Sequence, residues 1–321
     1  LLAMLVKRFG SPDDAYLHIP HKEYLRHINL PLPQKPGKEN NNIGLIVASG
    51  SIVDGLQYEG SIGGDSLSEL LRQARKDNSL KALVIRVDSP GGSAFASDII
   101  RQEIIKTQQR MPVIISMGSL AASGGYWISA SADEIWAQPS TLTGSIGVFG
   151  IMPTFEDSLA SLGIHSDGLG TTKLSDFYAL DRPLSDEAAQ VIQLNVNNIY
   201  QKFLQLVADG RGSTPEKIAP VAEGRIWTGQ QAQGIGLVDN IGNLDDAVAS
   251  AAARAGLENW QVKDIRRPLT FQEQVLKQMA EGSVQIKQTL FGTTASHTTP
   301  VSRLTNLVKQ YLKNISQHLL F

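Results

Sequence analysis

The sequence predicts an α/β domain built on a parallel sheet with crossover helices, followed by a helical C-terminal extension. Two patterns predict it. GLIVASGSIV (44–53), ALVIRV (82–87) and PVIIS (112–116) are compact, β-branched runs of strand length. The stretches between them, DSLSELLRQARKDN and FASDIIRQEIIKTQQR, carry their apolar residues at helical spacing. Strand, helix, strand, helix, strand implies parallel pairing with the helices as crossovers.

Taken in order, residues 1–42 read as a linker entering the main domain. LPLPQKPGKENNN within them breaks both helix and strand. The main domain spans 43–256. Its first helix has Leu67, Leu70, Leu71 and Ala74 on one face, with Asp65 or Ser66 available as N-cap. The second places Phe95, Ile99, Ile100 and Ile104 together. A helix then starts near Ser123 and leads into a short strand, EIWA (134–137). The longest helix should begin near Ser185, with Asp186 and Glu187 favoured in its first turn by the helix dipole. Its stripe of Ile192, Val196, Ile199, Phe203 and Leu206 is expected to be core. A helix at 245–255 closes the domain, and 257–321 form amphipathic helices expected to dock on the domain or on a neighbouring subunit.

Composition excludes several classes. Of the 321 residues, 29 are Lys or Arg and 31 are Asp or Glu, a net charge of -2, and no basic block exists to track phosphates. Nucleic acid is not an expected partner. Absence of cysteine removes disulfides, thiolate metal sites and a cysteine nucleophile. The chain opens Leu-Leu-Ala-Met, so Leu1 is expected to be an internal residue of a longer protein. Phosphate-loop, dinucleotide-binding, HExxH and GxSxG patterns are all missing. Of six histidines, only His165 falls inside the main domain, which leaves little for a Ser-His-Asp triad.

Two glycine pairs remain. Ser89-Pro90-Gly91-Gly92 follows a strand and precedes a helix, and Ser123-Gly124-Gly125 follows the third strand at a helix start. Either alone is readable as a tight turn. Together they occupy the carboxyl ends of parallel strands, where open α/β sheets bind ligands. One loop offers an amide, the other an amide and a hydroxyl, the minimum equipment for acyl transfer.

SPGGS (89–93), SMGSLAASGGYWIS (116–129), PSTLTGSIGVFG (139–150) and IWTGQQAQGIGLVD (226–239) together resemble the signal peptide peptidase A family, serine proteases with a ClpP/crotonase-like fold. The likeness covers roughly 43–250 and is to the C-terminal half of the family's long, tandem form, which implies that 1–42 hold the remnant of a preceding repeat as well as the linker. It implies that Ser123 is the nucleophile. It also implies that Gly91, Gly92 and Gly124 are oxyanion-hole elements and that Thr143, Gly144, Ser145 and Ile146 line a groove for an extended peptide.

The family uses a lysine as base. Its position in the single-repeat form corresponds here to Ser175. Lys173 lies nearby but in a polar setting of Thr171, Thr172, Ser175 and Asp176, so the expected base comes from an N-terminal repeat of the same chain. The resemblance further implies signal-peptide remnants and other short hydrophobic peptides as substrates, a ring-like homo-oligomer, and a membrane anchor placing the site on the periplasmic face of the bacterial inner membrane. No metal or organic cofactor is called for. The competing readings are a crotonase-like acyl-CoA hydratase or isomerase, and a noncatalytic assembly repeat.

Overall fold

The computed structural model describes residues 41–267. Most of the expected N-terminal linker and the amphipathic stretches after 267 lie outside the described residues. In chain order the elements are β1 (Asn42–Ser49), β2 (Ser51–Val53), β3 (Ser61–Gly63), α1 (Gly64–Lys76), β4 (Leu80–Ser89), α2 (Ala94–Gln108), β5 (Val113–Ala122), α3 (Gly124–Ser129), β6 (Glu134–Ala137) and β7 (Leu142–Gly144). They continue with α4 (Glu156–Ser161), α5 (Asp186–Gly210), α6 (Pro215–Ile218), β8 (Ile226–Thr228), α7 (Gly229–Gly234), β9 (Asn240–Ile241), α8 (Leu244–Arg254) and β10 (Gln261–Asp264).

The parallel sheet with crossover helices is what the structure shows. Its order is β10-β1-β4-β5-β6-β9, all parallel, with β7 joining β5 in parallel and β8 antiparallel to β7. The central strand β4 is buried on nearly every residue from Ala82 to Val87, as a strand covered on both faces requires. Its alternation sorts two cores. Leu83, Ile85 and Val87 meet Leu67 and Leu71 of α1 and Ile100 and Ile104 of α2. Ala82 and Val84, with Ile43 and Ile114, meet Ala247, Val248, Ala251 and Ala252 of α8. The near-continuous alanine face of α8 lets that helix approach the sheet closely.

Helix caps mostly follow the sequence. Ser185 caps α5, accepting Ala188 N–H at 3.2 Å, and Ser93 caps α2, accepting Ala96 N–H at 3.1 Å. Helix α1 departs from expectation. Its N-cap is Gly63 rather than Asp65 or Ser66, because Ser66 is used elsewhere: its hydroxyl donates to Gln57 O and accepts Gln57 N–H. Phe95 also departs, at 69% exposed on the first turn of α2, while Ile100 and Ile104 are buried.

The stripe along α5 splits. Phe203 and Leu206 are in the core, and Phe203 stacks against Trp127 of α3 with ring centroids 4.6 Å apart. The N-terminal half leaves Ile192 and Val196 only partly covered and Leu194 68% exposed. Between β7 and α5 the chain presents Phe149, Ile151, Leu162, Leu169 and Tyr178 to solvent. Among the described residues no helix is long and apolar enough to cross a membrane.

Candidate active site

The carboxyl ends of β4 and β5 lie side by side, and the two glycine loops meet there. Ser123 is the last residue before α3 and adopts φ 52°, ψ -119°, a left-handed conformation that a residue with a Cβ rarely accepts. Such strain costs on the order of 1–3 kcal/mol and persists only where neighbours enforce it. The enforcement is visible. Ser123 N–H donates to Gly144 O at 3.0 Å, while Ser123 O accepts both Tyr126 and Trp127 N–H at 2.9 Å. Tyr126 is fully buried, with its hydroxyl donating to Leu237 O at 2.8 Å, so the first turn of α3 is pinned into the core. Burial raises the Tyr126 phenol above its ordinary range. Ser123 itself is only half-buried and keeps access to solvent.

The Gly91-Gly92 turn packs against this serine. A Cβ on Gly91 would lie 2.7 Å from Ser123 Cβ and 2.5 Å from the Gly124 nitrogen, so no other residue fits without displacing the site. The turn is anchored from behind by Ile52 of β2. Ile52 N–H donates to Gly91 O at 2.8 Å, and Ile52 O accepts Ser93 N–H at 2.9 Å. In such a parallel bridge the intervening residue, Gly92, turns its own N–H away from Ile52.

Among the described residues neither Gly92 N–H nor Gly124 N–H has a protein acceptor. The Gly92 nitrogen lies 3.2 Å from where a Cβ on Gly124 would stand. Two amides without a protein acceptor therefore adjoin Ser123, the residue that bears the hydroxyl. Gly91 N–H, by contrast, donates to Ser89 Oγ at 3.1 Å, which makes Gly91 a spacer rather than a free donor.

Residues 143–146 lie behind the serine. Thr143 and Ile146 are fully buried, Gly144 is buried and Ser145 is half-buried. Strand β7 is paired on both edges, with β5 and with β8. Ser145 N–H donates to Arg225 O, Gly224 N–H donates to Ile146 O, and Gly144 O accepts Ser123 N–H. Those main-chain groups are spent inside the protein, so the segment buttresses the Ser123 turn.

The lysine base that the family resemblance implies must be neutral, which near neutral pH takes burial or a neighbouring cation. Every lysine among the described residues is exposed. Lys173 is 82% exposed and pairs with Glu187 at 2.8 Å, holding the Glu187 carboxyl below its usual range. Ser175 hydrogen-bonds within its own turn, accepting Thr172 N–H and donating to Thr172 O. His165 is exposed as well. Sequence reasoning missed Ile52, which anchors the glycine turn, together with Asp88 and Thr141, which hold β5. Asp88 was legible only as the odd charged residue between a β-branched run and SPGG.

Comparison with known proteins bears on the family. The model of peptidase family S49 matches residues 105–258. Protease 4 of Salmonella typhi is 44% identical over 284 residues, which cover 88% of this chain and 44% of that protein. The chain thus spans less than half the length of that relative. A point mutant of ClpP1 from Listeria monocytogenes, among solved structures, overlaps 64% of this chain and 94% of its own, with a TM-score of 0.43 and 16% identity. A provisionally described protease of Synechocystis sp. is 32% identical over 236 residues, 70% of this chain and 85% of that protein. With a relative matched across most of its own length and the family pattern running from α2 through α8, the chain belongs to peptidase family S49.

Proposed function

We propose that this chain carries the nucleophile of a serine endopeptidase of the Ser/Lys type. One observation carries the reading: Ser123, held at a strained positive φ, adjoins two amides, Gly92 and Gly124, that have no acceptor among the described residues. Ser123 Oγ attacks a peptide carbonyl, and the oxygen that gains charge is received by those N–H groups, which are already oriented. The serine proton passes to a base and then to the departing amine. Water next attacks the acyl-serine, returns the proton and frees the acid.

The base in this reading is a lysine from polypeptide preceding this chain. Its amine must be held about 3 units below the ordinary value, a differential solvation of about 4 kcal/mol. The exposure of every described lysine and the partial coverage of Protease 4 support that assignment. Family resemblance supports short hydrophobic peptides, signal-peptide remnants among them, as substrates. It supports also a homo-oligomer working at the periplasmic face of the inner membrane.

The test is hydrolysis of short hydrophobic peptides by the full-length protein, with fluorophosphonate labelling in parallel. Ser123→Ala should abolish both. Hydrolysis that survives Ser123→Ala excludes Ser123 as nucleophile.

A further inference from the structure

Strands β4 and β5 fall out of step just before the site. Val87 pairs with Met117, yet the next pair is Ser89 with Ala121, so β4 advances two residues while β5 advances four. At about 3.3 Å per residue, the surplus of two on β5 draws Ser123 back by roughly 7 Å relative to an unbroken ladder. Continued from Ser89 and Ala121, the register sets Gly91 opposite Ser123, the contact found at the site. Without the surplus, Gly91 would face Ala121 and the serine would overshoot the glycine turn. Because the surplus is even, Met117 and Ala121 both stay in the buried face.

A bulge frees backbone groups that must find other partners. Here side chains from outside β5 supply them. Asp88 accepts Leu120 N–H at 3.0 Å. The buried Thr141 hydroxyl donates to Gly118 O at 2.7 Å and accepts Gln138 N–H at 3.1 Å. Glycine is required at 118, since a Cβ there would lie 2.9 Å from Cβ and Cγ of Asp88. Beyond the bulge, Thr143 donates to Ala121 O at 2.7 Å and continues the same support.

We propose that Asp88 and Thr141 are positioning residues, which hold the two-residue surplus of β5 and thereby set Ser123 level with the Gly91-Gly92 turn. This rests on Ser123 being the nucleophile. A nucleophile displaced by about 1 Å loses on the order of 10²-fold in rate.

The experiment compares kcat, KM and the fluorophosphonate labelling rate in the full-length protein. Asp88→Ala and Thr141→Val should each lower kcat and labelling about 10²-fold with KM within about twofold, at a temperature where circular dichroism stays native. Asp88→Asn keeps an acceptor oxygen and Thr141→Ser keeps the hydroxyl, and both should return to within about threefold of wild type. A role in stability alone would lower Tm and leave kcat of the folded enzyme unchanged.

Wild-type labelling rates in both Asp88→Ala and Thr141→Val overturn the proposal. Should Asp88→Ala fail to fold, the contrast between Thr141→Val and Thr141→Ser decides. Ser123→Ala run in the same series separates the two readings. An active Ser123→Ala removes the nucleophile assignment, whereas a dead one beside normal Asp88 and Thr141 variants removes only the positioning.

Discussion

At the scale of single residues, Gly91 is the position where an added side chain would press directly on Ser123 and Gly124. Its φ of +98° and the 2.5 Å approach to the Gly124 nitrogen mean that even one methyl group must move the nucleophile turn. Gly91→Ala should therefore lower fluorophosphonate labelling of Ser123 by about 10²-fold, measured beside wild type in the full-length protein. Lys173 makes the opposite case. It is exposed and tied only to Glu187, so Lys173→Ala should leave kcat/KM within about twofold. Both glycine pairs and Ser123 could be singled out because two such loops stand at neighbouring strand ends, although either alone reads as a tight turn. That Gly92 rather than Gly91 keeps a free amide was not legible. It depends on Ser89 Oγ taking the Gly91 N–H and on Ile52, far back in the chain, bonding both Gly91 O and Ser93 N–H so that the Gly92 N–H faces away.

Elements show why strands and crossover helices could be read while smaller pieces could not. Helices α1, α2, α5 and α8 bury a face with the helical period, and strands β4 and β5 are long apolar runs buried on both faces. Strands β7 to β10 have two to four residues each, too short for any period, and exist because longer neighbours offer edges. Phe95 misled because an apolar residue at the correct spacing sits on the first turn of α2, beyond the reach of the core.

Glu103 supplies an element-scale prediction. Burial opposes its charge, but hydrogen bonds from Arg75 and Lys106 and the nearby Arg72 win, holding its carboxyl at about 2. The group thus clamps α1 to α2. Its folded value is depressed, so its contribution is present above the unfolded carboxylate range and is lost as pH falls toward about 2. Glu103→Gln should cost about 1–2 kcal/mol at neutral pH. Chemical denaturation of the two proteins at falling pH should show that difference shrinking below about pH 4.5.

For the molecule as a whole, the sheet organises chemistry by ending its two central strands at one line, with helices on both faces to hold them. In the proposed Ser/Lys reading the base stands outside the described residues, every lysine of which is exposed. This 321-residue chain by itself should therefore hydrolyse peptides at less than about 1% of the full-length rate, a loss comparable to removing a general base. Equal turnover by the two proteins would place the base within this chain. The gap between a readable nucleophile and an unreadable base has a physical origin. A serine turn is written in contiguous glycines, whereas a buried amine is defined by what packs around it.

Phe149 and Ile151, 85% and 83% exposed, stand in a stretch with Leu162, Leu169 and Tyr178 that neither core covers. So much oily side chain in water gives molecules a reason to stick together as they become crowded. Light scattering from concentrated solutions of the isolated chain should climb with concentration, and Phe149→Ser with Ile151→Ser should flatten that rise while Ser123 stays as it was. Handling the chain dilute, or with a mild detergent, follows directly from where those side chains point.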